Sequence, residues 1–185
     1  ERQYINGNYP QAISGLKVYL EKFSKGGRYS TTAQYYLADS YYHSGDKANA
    51  LTSYQALLKI SGNQYTEEAV LRCSEITYDQ KDYTSALQYF KQLQTVAQSV
   101  ENKNAAQLGI LRCSYFLNDN QTTINIVNEI MADALATAEL KAEARYNRAK
   151  AYIATNQHTQ AIADLKVIAT DTRTANGAEA KYLLA

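Results

Sequence analysis

The chain has 185 residues, 19 basic and 18 acidic side chains, and a net charge of +1. Because the two signs are interspersed, a surface that neutralises many phosphates is not expected, and nucleic acid is not predicted as a partner. No run of about 18 apolar residues occurs, which excludes a membrane-spanning helix. One proline and 17 tyrosines are present. Scarce proline favours helices, and so many phenolic hydroxyls predict wide amphipathic surfaces.

A helix-turn-helix pattern is clearest in the segment that starts at Gln34. Leu37 and Tyr41 recur at helical spacing, which predicts a first helix. Gly45 can adopt the left-handed conformation that closes this helix, and Asp46 can cap the next one. The segment is therefore predicted to form a helical hairpin of about 34 residues.

The same pattern recurs along the chain. The small or apolar position of the second helix is predicted at Ala12, Ala50, Ala86, Ile126 and Ala161. These positions are 38, 36, 40 and 35 residues apart. The candidate caps before them are Asn8, Asp46, Asp82, Thr122 and Gln157. We predict one array over residues 1–185, with about four full repeats and a half repeat at each end, taken from a longer chain. Its units are 1–28, 31–64, 65–100, 102–136, 138–173 and 176–185.

These repeats resemble the tetratricopeptide repeat (TPR) family, whose helices carry aromatic-x-x-Leu-Gly-x-x-Tyr and then Ala-x-x-x-Phe. The matching residues are Leu37, Ala38, Tyr41, Ala50 and Tyr54, and later Ala149, Tyr152, Ala161 and Leu165. The closing proline of the family is absent. The resemblance implies an all-α fold, an α-solenoid of antiparallel hairpins wound into a right-handed superhelix. It also implies that the first helices line a concave groove that binds proteins or peptides.

The tyrosine-rich repeats look like bacterial arrays of the cell envelope. This likeness implies a location on the periplasmic side of the envelope, with the cytoplasm as the alternative.

The two cysteines each lie in a Leu-Arg-Cys-Ser tetrapeptide, at Cys73 and Cys113. Aligned on these copies, both cysteines take the first-helix position that Leu37 holds in the second unit. Neighbouring helices pack about 8–10 Å apart, whereas the α-carbons of a disulfide lie about 4.4–6.8 Å apart. We therefore predict two buried structural cysteines, with no disulfide and no metal site.

The sequence carries no enzyme signature. His43 and His158 lie in different units, at predicted helix ends, where each is expected to be a solvent-facing turn residue and not a general base. We predict a protein that is not an enzyme and that needs no cofactor.

A ligand is expected on the groove face of the first helices. The predicted groove residues are Tyr35, Tyr36, Asp39, Tyr42, His43, Arg72, Glu75, Arg112, Tyr115, Asn147 and Lys150. Arg72 and Arg112 appear in equivalent places and are predicted to stand side by side, where they could bind a carboxylate. The alternative is that each pairs with a neighbouring acid, such as Glu75 or Asp119.

Three functions remain open at this stage. The first is a scaffold that binds a protein or peptide in the groove. The second is a structural segment that packs on other domains of its own chain or self-associates through its open ends. The third, weaker, is a small-ligand or glycan binder that uses tyrosine rings as platforms. Ordered ligand in the groove would favour the first or third, and concentration-dependent mass the second.

Overall fold

The computed structural model of the chain describes residues 1–23 and 27–185. Within these ranges the regular structure is helical, with no strand, which confirms the all-α prediction. None of the described helices is long and apolar enough to cross a membrane. The helices form two compact units, Glu1–Asp82 and Tyr83–Ala185. That the repeats make one continuous array stays a prediction.

The first unit is built from short helices joined by tight turns. In chain order they are α1 (Arg2–Ile5), α2 (Tyr9–Phe23), α3 (Ser30–His43), α4 (Lys47–Leu58) and α5 (Thr66–Asp79). Helix α3 packs against α2 and α4, and α4 packs against α5. Tyr54 and Leu57 of α4 are fully buried, as are Ala69 and Val70 of α5. The apolar stripe of each helix thus supplies the core.

The second unit continues the alternation. Its helices are α6 (Tyr83–Val96), α7 (Val100–Phe116), α8 (Asn120–Ala132), α9 (Ala138–Ala154), α10 (His158–Ile168) and α11 (Ala175–Leu183). Each packs against the next, and α7 also contacts α9. Ala149 of α9, Leu165 of α10 and Ala180 of α11 form one buried cluster. Successive first helices, such as α7 and α9, therefore lie side by side.

The first helices α1, α3, α5, α7 and α9 are closed in the same way. A residue with positive φ follows each of them, at Gly7, Gly45, Lys81, Asn118 and Asn156. The N–H of the next residue then donates to a carbonyl five residues back, as Asp46 does to Tyr41 at 3.0 Å. This is the Schellman arrangement, which satisfies the last carbonyls of the helix. The prediction of a left-handed turn at Gly45 is confirmed, and so is the cap, since Asn49 N–H donates to Asp46 at 3.1 Å.

These turns correct the register of the fourth repeat. The turn lies at Asn118, so the cap of α8 is Asp119, and Thr122 instead donates its N–H to it at 3.0 Å. The small position belongs to Thr123, not to Ile126, and its single hydroxyl proton is shared between Ser114 Oγ and the Asp119 carbonyl, each at 3.0 Å. The small positions are then Ala12, Ala50, Ala86, Thr123 and Ala161, spaced by 38, 36, 37 and 38 residues.

The two cysteines therefore do not share one position. Cys73 lies eight residues before its turn, as Leu37 does, but Cys113 lies only five residues before Asn118, one helical turn later. The repeated tetrapeptide is thus not a structural repeat. Both thiols are free and fully buried, and burial raises the pKa of each to about 12.

Candidate functional site

One first-helix position carries a charge in four successive repeats. It lies six residues before the turn and is occupied by Asp39, Glu75, Arg112 and Lys150. We call this position the charged slot. It is acidic in α3 and α5 of the first unit and basic in α7 and α9 of the second. All four residues were predicted groove residues, but the sequence register did not show that they are equivalent.

In the first unit, tyrosines three residues before the turn reach the charged slot of the next first helix. The hydroxyl of Tyr4 donates to Asp39 Oδ2 at 2.8 Å. The hydroxyl of Tyr42 donates to Glu75 Oε2 at 3.2 Å. Tyr4 was not predicted as a site residue, and the correct repeat register is the signal that would have found it.

Asp39 is buried, with 4% of its surface exposed. Besides Tyr4, its carboxylate accepts a hydrogen bond from Tyr54 at 2.9 Å, and Nε2 of His43 lies 3.2 Å away. Burial and the nearby carboxylate raise the pKa of both tyrosines. Asp39 thus holds α1, α3 and α4 together and does not lie on the open face predicted for it.

Arg72 pairs with two acids of its own helix, α5, and lies over a tyrosine ring of α3. Its guanidinium lies 2.7 Å from Glu68 and 2.9 Å from Glu75, and 4.7 Å from the ring centroid of Tyr42. Pairing with Glu75 is the alternative that the sequence left open. Arg72 lies nine residues before its turn and Arg112 only six. The repeated tetrapeptide had suggested that the two arginines are equivalent, and this prediction is wrong.

Four half-buried rings of the first unit form what we call the tyrosine cluster: Tyr4, Tyr35, Tyr36 and Tyr65. The rings of Tyr35 and Tyr65 stack at 4.2 Å, and those of Tyr4 and Tyr36 at 4.3 Å. Tyr35 and Tyr36 are 5.8 Å apart and join the two pairs. Burial and the charge of Asp39 raise the pKa of Tyr35 to about 12. The cluster joins α1, α3 and the start of α5.

In the second unit, Arg112 joins α7 to α9. Its Nε and Nη2 donate to the two carboxylate oxygens of Glu143 at 2.8 and 3.0 Å. The partner is not Asp119, because that side chain caps α8. Hydrogen bonding from Thr122 lowers the pKa of Asp119. The bidentate pair neutralises Arg112 on the helix face.

Lys150, the next charged slot, lies among aromatic rings. Its ammonium is 5.5 Å from the ring centroid of Tyr115 and 5.3 Å from that of Tyr146. It is 3.8 Å from Glu179, which also accepts a hydrogen bond from Tyr146. Hydrogen bonding with Tyr115 raises the pKa of Lys150, so it is a cation at neutral pH. Asn147, one turn earlier, is buried at 8% exposure and is not presented to a ligand.

Two clefts open between α7 and α9. The first, of about 290 Å³, is lined by Asn104, Ala105, Leu108, Arg112, Thr137, Glu139, Leu140 and Glu143. The second, of about 310 Å³, is lined by Tyr115, Phe116, Asn118, Asn120, Lys150, Ala151 and Ala154. We call them the acceptor cleft and the lysine cleft. In residues 1–23 and 27–185, no group of His, Cys, Asp and Glu could hold a metal ion.

Comparison with known families agrees with the hairpin architecture. Models of the tetratricopeptide repeat match residues 32–62, which span α3 and α4, and residues 142–166, in α9 and α10. These two segments of the chain are similar to tetratricopeptide repeats. TPR repeats generally mediate protein–protein interaction. No curated protein matches the sequence significantly.

Solved structures show the same fold. The chain is similar to the nearly identical TPR-like repeats assigned to a kinesin light chain of Podosopora anserina, and to a single-substitution variant of them. In both comparisons the TM-score is 0.54 at 16% identity, over 89% of this chain and 87% of the other. The likeness confirms the TPR-like solenoid class of the fold.

Proposed function

We propose that this TPR protein is a non-catalytic scaffold that binds a peptide or a partner protein on the face formed by its first helices. The observation that carries the proposal is the tyrosine cluster with its flanking charges. Half-buried tyrosine rings and an arginine lie together on adjoining helices there, and these residue types dominate the energy of protein interfaces. TPR repeats in general serve such interactions.

The proposed binding face contains most of the residues predicted from the sequence. In the first unit they are Tyr35, Tyr36, Tyr42, His43, Arg72 and Glu75. In the second unit they are Arg112, Tyr115 and Lys150. Asp39 and Asn147 are buried and support the face from beneath. Since the arginines already have acidic partners, we expect binding energy to come mainly from covered rings, with the charges selecting the partner.

The experiment that tests this proposal starts from a random peptide library selected on the purified chain. The dissociation constant of an enriched peptide is measured by fluorescence polarisation for the wild type and for Tyr36→Ala. Loss of the Tyr36 ring is expected to weaken binding at least about tenfold, the usual cost of a truncated interface anchor.

Tyr182→Ala is the matched control, because Tyr182 is 80% exposed on α11 and is remote in sequence from the tyrosine cluster. It should leave the dissociation constant unchanged. Circular dichroism verifies that both variants are folded. Equal affinity of wild type and Tyr36→Ala for every enriched peptide would contradict binding at the cluster.

We also propose a location on the periplasmic side of a bacterial envelope, from the resemblance of the tyrosine-rich repeats to envelope arrays. Fractionation of native cells with an antibody against the chain tests this. Recovery in the cytoplasmic fraction would contradict it.

A further inference from the structure

We infer that the α7–α9 face of the second unit recognises a peptide that carries a basic and an acidic side chain about five residues apart. This inference rests on the proposed function and names the chemistry of its ligand. It follows from two clefts on one face. One offers the acceptors Asn104 Oδ1 and Glu139 beside the paired Arg112 and Glu143, and the other offers donors. Residues of α7 and α9 line each cleft, and the lysine cleft is also lined by Asn118 of the turn after α7 and by Asn120 at the start of α8.

The acceptor cleft fits a basic side chain. Asn104 Oδ1 is buried there and has no hydrogen-bond partner within the described part of the chain. The carboxylate of Glu139 is exposed at the start of α9, and Leu108 and Leu140 form an apolar wall. A lysine or arginine carries an aliphatic stem and a head that only donates, and so matches both features. A buried acceptor left unpaired is costly, which favours a ligand that donates to it.

The lysine cleft fits an acidic side chain next to an apolar one. Lys150 supplies a cation, and the side-chain amides of Asn118 and Asn120 make no hydrogen bond among the described residues. Phe116, 48% exposed, forms an apolar wall beside them. A carboxylate accepts from ammonium and amide donors alike.

The acids close to the lysine cleft are already engaged. Glu179 lies 3.8 Å from Lys150 and also accepts from the Tyr146 hydroxyl. Asp119 accepts the Thr122 N–H as the cap of α8. Among the nearby acids, an incoming carboxylate therefore competes for Lys150 only with the long contact to Glu179.

The spacing of the two clefts sets the spacing of the ligand charges. Asn104 and Tyr115 are eleven residues apart on α7, and Glu139 and Lys150 are eleven apart on α9. Eleven helical residues rise about 16 Å at 1.5 Å each. An extended peptide advances about 3.3 Å per residue, so about five residues span this distance. In sequence, the Arg112–Glu143 pair lies between the two ends, and it lines the acceptor cleft.

A charge-swap selection tests the inference. A phage library of random twelve-residue peptides is selected on the wild type, on Lys150→Glu and on Glu139→Lys. We expect wild type to enrich peptides with Lys or Arg about five residues from Asp or Glu. Lys150→Glu should replace the acid of these peptides by a base, and Glu139→Lys should replace the base by an acid. A synthetic wild-type peptide should bind each variant at least about tenfold more weakly, and the swapped peptide should recover the affinity.

Lys181→Glu is the matched control, because Lys181 is an exposed lysine of α11 outside both clefts. It should select the same peptides as the wild type. Enriched peptides that lack the charge spacing, or that are the same for all variants, overturn the inference. If those peptides still lose affinity for Tyr36→Ala, the proposed function stands without it. No enrichment over an uncoated matrix would overturn both.

Discussion

A single buried carboxylate organises the N-terminal end of the protein. Asp39 faces the hydroxyls of Tyr4 on α1 and Tyr54 on α4, and the imidazole of His43 on its own helix. A buried charge is costly unless it is hydrogen-bonded, and here donors meet both carboxylate oxygens. The tyrosine richness of the sequence thus serves the interior as well as the surface.

Replacing Asp39 by asparagine is expected to lower the free energy of unfolding by about 1–3 kcal/mol, because an amide NH₂ cannot accept from a tyrosine hydroxyl. Urea denaturation followed by circular dichroism measures the change. Glu75→Gln serves as the control, since it alters the same slot at a half-exposed position and should cost less. Equal costs for the two variants would mean that burial of Asp39 has no special role.

Gly109 is required by close packing between α7 and α6. A Cβ at this position would lie 2.3 Å from the ring of Phe90. Gly109→Ala is therefore expected to destabilise the chain by about 1–3 kcal/mol, as overpacked cores do. Gly15→Ala is the matched control, because a Cβ added there would meet nothing within 4 Å. In helix α2, alanine should stabilise by up to about 1 kcal/mol. Thermal unfolding measures the midpoint temperature of each variant. Equal changes in that temperature for Gly109→Ala and Gly15→Ala would contradict the packing argument.

At the scale of helices, the hairpins, their order and most of their turns could be predicted, because helical spacing and Gly45-Asp46 chemistry are local. The fourth repeat could not be placed correctly. Helices α7 and α9 have 17 residues, whereas α3 and α5 have 14, and the tetrapeptide lies three residues closer to its turn in α7 than in α5. The left-handed turn at Asn118 was missed because the residue is asparagine and not glycine, so the repeated tetrapeptide was used to align the fourth repeat.

The ion-pair partners of the charged residues also could not be predicted from the sequence. Arg72 pairs three and four residues away on its own helix, while Arg112 reaches Glu143 on a different one. Both arrangements suit arginine equally well, and only the packing of α7 on α9 decides between them.

The five left-handed turns predict a stabilising substitution. Lys81 has φ of 61°, a conformation that costs a residue with Cβ about 1–2 kcal/mol. Lys81→Gly is expected to raise the free energy of unfolding by about 1 kcal/mol, after the greater flexibility of unfolded glycine is offset. Asn118→Gly should raise the free energy of unfolding by less, because asparagine tolerates the left-handed conformation better than lysine does. Urea denaturation compares them, and a destabilised Lys81→Gly would show that the lysine side chain contributes more than its backbone strain costs.

At the scale of the whole molecule, buried protonated groups link stability to alkaline pH. The thiols of Cys73 and Cys113 and the phenol of Tyr35 have pKa values raised to about 12, chiefly by burial. Because these folded-state values exceed the unfolded ones, the folded chain keeps protons that the unfolded chain releases. Their stabilisation is complete below about pH 9 and is lost as the pH rises towards 12.

The free energy of unfolding is therefore expected to fall steadily between about pH 9 and pH 12. Urea denaturation at a series of pH values measures the slope. Cys73→Ala removes one of the linked groups and should flatten the slope. A Cys73→Ala slope as steep as that of the wild type would contradict the assignment of this linkage to the thiol.

The residue at the charged slot differs in charge between repeats, while the backbone turn that follows it stays the same. The backbone around Asp39, Glu75, Arg112 and Lys150 closes in the same Schellman turn, although the side chains differ in sign. At Glu75, Arg112 and Lys150 the side chain is partly exposed, at 36%, 43% and 35%, so its identity is less constrained by packing than that of buried Asp39. On the proposed binding face, a substitution at one of these three positions is therefore expected to change the preferred partner while the fold of its repeat is kept.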